Sequence, residues 1–154
     1  MTVHQLSDDE LAGQPAAYWT GVAYEALIAF TRARQEEAGF RQPQFWLLRN
    51  LSPNDLSPDG AGRTIAQLEA AMSSYLRAED DLVVEAEALV ERGWLTRDGD
   101  RLSITGAGET ARLEMKKAGP AIRARIHEGI PDADYVTALK VLHRMIANVG
   151  GRHV

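Results

Sequence analysis

Between Leu76 and Arg92 the chain reads as a helix with Leu82, Ala86, Leu89 and Val90 on one face. At 100° per residue the opposite face carries Arg77, Asp80, Asp81, Val84 and Ala88. Such residues can work on the edges of nucleic-acid bases. A carboxylate accepts from cytosine N4 in the major groove, and a guanidinium suits a guanine or a phosphate. Asp80 and Asp81 on the outward first turn are placed for the first task, and Arg77 for the second. The charge of the region opposes the same chemistry. From Thr64 to Leu95 there are seven acids, with Arg77 and Arg92 as the only bases. Carboxylates near phosphates weaken association, because non-specific affinity comes from bases that displace counterions. Glu85, Glu87 and Glu91 sit further along, and a solvated helix face is an equally good reading of any one acid.

Phosphate contacts must then come from elsewhere. Arg63, Thr64, Arg97 and Arg101 are the candidates, together with main-chain N–H groups at helix starts. Residues 96–128 hold seven bases and five acids. The group from Arg112 to Arg125 reads better as the solvent face of a long helix than as a contact surface.

Tyr18, Trp19, Phe45 and Trp46 form a candidate ligand site. An apolar pocket needs a few placed polar groups, which Trp N–H or Tyr O–H can supply. Core or interface packing accounts for each ring as well. For metals and catalysis the sequence offers nothing specific. His4, His127, His143 and His153 have no chelating spacing, and Asp81 with Glu85 lacks a neighbouring imidazole. No Ser-His-acid pattern, phosphate-binding loop or dinucleotide glycine motif is visible. No catalytic residue, metal or cofactor is expected.

The elements that must position these residues follow from periodicity and breakers. In 154 residues, 45% hydrophobic, there is enough apolar material for one domain with a sizeable core. Net charge is −5, and cysteine is absent, so disulfides and thiolate sites are excluded. No apolar run approaches a membrane span and no secretory leader is visible, so a soluble cytoplasmic protein is expected.

Ser7-Asp8-Asp9-Glu10 reads as a capping box, although a frayed arm fits as well. Pro15 to Glu37 predicts a helix apolar on two adjoining stripes, which implies burial on two sides. Gln42 to Leu51 predicts a second helix, and Ser52 to Gly62 a loop. Thr64 caps a helix carrying Ile65, Leu68 and Met72. After Gly93, the Asp98-Gly99 turn joins two short strands. A long helix from Thr105 to Glu128 should kink or split at Gly119-Pro120. A last helix opens at Asp132 and ends at Gly150-Gly151. The fold class is mainly α with a small β-ribbon (α+β).

Together, these residues resemble the multiple-antibiotic-resistance regulator (MarR) family of winged helix-turn-helix proteins. The resemblance runs from about Gln14 to Gly151. Its most specific parts are Leu89 to Leu95, Asp100 to Gly108 with its Ile-Thr-x-x-Gly, and Gln42 to Leu48. It implies a winged-helix lobe at 63–105, flanked by dimerisation helices at 15–51 and 106–150. It implies a homodimer on a pseudo-palindromic double-stranded DNA operator, with the wing around Arg97 to Arg101 at the minor groove. It also implies a small aromatic or phenolic effector bound under the DNA lobe, and regulation by repression. Against the family pattern, the turn from Ser73 to Glu79 is longer, the wing shorter and the recognition helix more acidic. The alternative reading is a winged-helix dimer that senses a ligand or docks a protein and has little DNA affinity.

Overall fold

The computed structural model describes residues 5–152. His4 and His153 lie outside the described residues. Residues up to Gly119 form one compact unit and those from Pro120 another.

The first unit starts with α1 (Asp8–Ala12), closed by the full Ser7/Glu10 capping box. Helix α2 (Ala16–Glu37) follows Pro15, which stands at the cap position. Gly39, at φ +94°, turns the chain into α3 (Gln42–Leu51). The loop after α3 leads to β1 (Arg63–Thr64), α4 (Ile65–Met72), α5 (Leu82–Glu91), β2 (Leu95–Asp98), β3 (Arg101–Ile104) and α6 (Gly106–Lys116). Leu47, Leu48, Leu68, Met72, Leu89 and Leu102 have at most 1% of their surface exposed and tie these elements into one core. Each such leucine contributes about 2 kcal/mol by leaving water.

The strands make one antiparallel sheet in the order β1-β3-β2. Arg97 faces Leu102 and Asp98 faces Arg101 across the wing, while Arg63 and Thr64 pair with Leu102 and Arg101 on its other side. The sequence predicts a two-stranded ribbon. The third strand is only two residues long and has no period to announce it.

Helix α5 is the main departure in the fold. It begins at Leu82, not Leu76. Asp81 caps it, its Oδ1 accepting the N–H groups of Val83 and Val84 at 3.1 and 3.2 Å. Upstream, Asp80 N–H donates to the Arg77 carbonyl at 3.0 Å, and Arg77 N–H donates to the Asp80 carboxylate at 2.8 Å. Residues 77–80 thus form a self-bonded turn that competes with the helix.

Helix α6 ends at Lys116, and α7 (Gly119–Ile126) starts afresh at the Gly-Pro pair, as the missing proline N–H requires. In the second unit, α8 (Asp132–Asn148) follows Pro131. There His127 sits edge-on to Tyr135 with 4.3 Å between ring centroids, and Arg123 Nη1 is 3.1 Å from His127 Nε2. Among the described residues no helix is long and apolar enough to cross a membrane.

Candidate nucleic-acid interface

The first turn of α5 and the hairpin of β2 and β3 are the parts of the lobe that could meet a duplex. On α5, Leu82, Ala86 and Leu89 point into the core. Glu85 is also buried, its carboxylate held by Arg41 Nε at 2.7 Å. What remains outward is Val83, Val84, Glu87 and Glu91.

Asp80 does not face outward. Its side chain has no exposed surface, and both its oxygens bind Arg32, at 2.7 and 2.8 Å. The Arg32 guanidinium holds the Asp80 carboxyl below its ordinary range, and Asp80 in turn raises Arg32. Arg77 is engaged within the chain as well. It bonds Glu25 at 2.6 Å and Glu79 at 3.0 Å, and these two carboxylates push its proton affinity upward. Both errors come from extending the α5 period through a segment that is a turn. Asp81 is exposed, but its oxygen serves as the helix cap.

In the wing, Arg97 Nη2 donates to Glu87 of α5. Arg101 is exposed, and its Nη1 donates to the Gly62 carbonyl at 2.7 Å. Thr64 ends β1 and caps α4, its Oγ1 accepting from Gln67 N–H at 3.2 Å, while Arg63 lies half-buried beside it. Arg63, Thr64, Arg97 and Arg101 therefore lie in one sheet, near one another.

Arg112 is a further correction. The sequence puts it on a solvent face, yet it is 4% exposed. It bonds Glu109 at 3.1 Å and Asp55 at 3.3 Å, and Arg49 bonds Asp55 from α3 at 2.9 Å. Arg112, helped by Ser52 and Asn54, pulls Glu109 down to about 2. This network fixes the start of α6 against α3 and the loop behind it. Nothing in the sequence near Arg112 signals partners 57 residues away.

The four aromatic residues do not form one cluster of rings. Tyr18 packs edge-on to Trp19, both exposed on α2, and Trp19 Nε1 donates to Gln14 at 3.2 Å. Phe45 packs on Phe40, and Trp46 stacks on Tyr75 at 3.9 Å with the Arg49 guanidinium 4.4 Å from its ring centre. Sequence reasoning missed Tyr75, which lies in the turn and not on a helix face. A separate cleft of about 460 Å³ opens between the end of α2 and α6. Phe40, Trp94, Ala111 and Met115 form its apolar walls, and Glu114 and Lys117, 2.6 Å apart, stand at its rim. A second cleft of about 380 Å³ lies between Arg41, Asp81, Val84 and Ala88. Among the described residues no group of three or more His, Asp or Glu could hold a metal.

Most of the chain superposes on solved winged-helix proteins. A MarR-family transcriptional regulator from Rhodococcus sp. RHA1 is 21% identical, with 93% of this chain and 96% of that one aligned at a TM-score of 0.64. BpsR of Bordetella bronchiseptica, whose DNA binding is regulated by 6-hydroxynicotinic acid, is 17% identical over 93% and 99% of the two chains, with a TM-score of 0.63. CouR of Rhodococcus jostii RHA1, solved with p-coumaroyl-CoA bound, is 19% identical over 86% and 91%, also with a TM-score of 0.63. No protein-family profile and no curated relative matches the chain. The chain has the MarR winged-helix fold.

Proposed function

We propose that this protein is a sequence-selective DNA-binding transcription regulator that acts as a homodimer and responds to a small ligand. The observation that carries this reading is the lobe itself. A capped helix presents its first turn outward beside a three-stranded wing with Arg97 and Arg101, on a scaffold aligned over nearly its full length with known regulators. In this reading 63–105 is the DNA-binding lobe, and 15–51 and 106–150 supply the dimer helices.

Two separate surfaces support the dimer. Helix α2 buries only Gln35 and leaves Tyr18, Trp19, Val22, Tyr24 and Leu27 exposed. Helix α8 buries nothing and exposes Val136, Leu139, Val141 and Met145. Apolar faces of this extent on a water-soluble chain mark association.

The effector is a small aromatic or phenolic compound. Phe45 and Trp46 are already covered by Phe40, Tyr75 and Arg49, which leaves Tyr18 and Trp19 of the sequence-predicted set open. The cleft walled by Phe40, Trp94 and Met115 has the volume and lining of a small-molecule site. A ligand there sits against Trp94, just after α5, and would favour one spacing of the two recognition helices over another. Repression then follows from occupying the operator, and relief from losing the matched spacing.

A specific observation favours the second reading, a docking module with little DNA affinity. Arg77, Arg97 and Arg101 are each already engaged by a carboxylate or a carbonyl, and α5 carries Glu85, Glu87 and Glu91 behind an aspartate cap, with no base of its own. Fluorescence anisotropy on the upstream promoter duplex and on a scrambled one, at low and physiological salt, separates the two. Selective binding that persists at physiological salt is expected for the regulator. Equal or absent binding to both duplexes overturns it.

A further inference from the structure

The first turn of α5 exposes two valines that no packing explains. Val83 is 49% exposed and Val84 61%, while the core side of the helix is filled by its neighbours. A β-branched side chain facing water lowers helix propensity and gains nothing by burial. These two are also held firmly, since Asp81 binds both their N–H groups.

In a helix-turn-helix the N-terminal residues of the recognition helix meet the base edges. In the major groove, Arg or Lys reads guanine, and Asn or Gln reads adenine. Only thymine offers a methyl group to an apolar side chain. Helix α5, LVVEAEALVE, has no Arg, Lys, Asn or Gln. The nearest upstream base, Arg77, is tied to Glu25 and Glu79. The outward face can therefore offer methyl groups and carboxylates, and nothing that reads guanine.

We propose that Val84, flanked by Val83, is the specificity-determining contact and reads the C5-methyl group of thymine in each half-site. This rests on the DNA-binding reading above. Operators would be selected for thymine opposite the first turn of α5, with no guanine read by that helix.

The test uses the full-length protein and a promoter duplex that it binds selectively. Thymines are replaced one at a time by deoxyuridine, which removes only the methyl group. At one position per half-site, the loss expected for the wild type is about fourfold per methyl, the factor for one buried carbon. Val84→Ala should bind the thymine and uracil duplexes equally, and Val84→Ile should keep the preference. Position 84 faces solvent, so both variants should melt like the wild type. The proposal is overturned if binding is selective yet no uracil substitution weakens it, or if Val84→Ala keeps the thymine preference. If the wild type selects no duplex at all, the DNA reading itself fails before any uracil is introduced.

Discussion

Arg32 and Asp80, 48 residues apart, are joined by two hydrogen bonds of 2.7 and 2.8 Å, and the aspartate side chain is wholly buried. Arg32 Nε also donates to Gln42 Oε1 at 2.9 Å, so one guanidinium ties α2, α3 and the turn before α5 together. Removing one partner of such a pair leaves the other charge uncompensated. Asp80→Asn should cost about 3 kcal/mol in urea unfolding. The folded-state carboxyl lies below its ordinary range, so its contribution is complete above the unfolded value and lost as pH falls through the folded one. Wild-type stability should therefore fall more steeply below about pH 4 than that of Asp80→Asn.

Glu109 obeys the same sign. With Arg112 and Asn54 bonded to it, its folded value near 2 lies well below the ordinary 4.5. Its contribution is complete above the ordinary value and disappears as pH drops toward 2. Glu109→Gln should lose about 2 kcal/mol at neutral pH, with the gap to wild type narrowing in acid. Urea titrations at several pH values read this directly.

Gly108 shows why a glycine stands at the end of the Ile-Thr-x-x-Gly stretch. A Cβ there would lie 2.2 Å from the Trp94 carbonyl oxygen and 2.8 Å from Ile104. Backbone cannot yield as a flexible side chain does, so Gly108→Ala should cost about 3 kcal/mol. Gly106 meets nothing within 4 Å, and Gly106→Ala should leave the melting temperature unchanged or raised.

Glu87 accepts a hydrogen bond from Arg97 Nη2 and would compete with a phosphate for that guanidinium. On the regulator reading, Glu87→Gln should tighten operator binding several-fold and Arg101→Ala should weaken it. Arg97→Ala should lower the slope of log affinity against log salt by about 1. Wild-type affinity in Arg101→Ala would remove the wing from the interface.

The proposed dimer can be probed on either helix. Leu27→Glu on α2 or Leu139→Glu on α8 places a charge in an exposed apolar face. On the proposed dimer reading, the wild type should scatter light as two chains, and each variant should shift that mass toward one with helical content retained.

Local signals made much of the fold readable. Gln42 to Leu51 forms the helix its pattern predicts, and Pro120 splits the long helix where its missing N–H demands. The core face of Leu82, Ala86 and Leu89 also follows from period alone. The errors have a common physical origin. Asp80, Arg77 and Arg112 are placed by partners 48, 52 and 57 residues away, and no periodicity encodes such pairings. Polar residues look solvated in sequence until a distant charge makes their burial tolerable. The packing of Trp46 was hidden for a related reason, since Tyr75, the ring that covers it, lies in a turn without a period.

Thr64 is at once the last residue of β1 and the cap of α4. No loop residue separates the sheet from α4, so the backbone of Thr64 alone joins them. Arg101, paired with Thr64 across the sheet, therefore lies one ladder step from the start of α4. A change in the tilt of α4 reaches the wing through that single residue and its pairing.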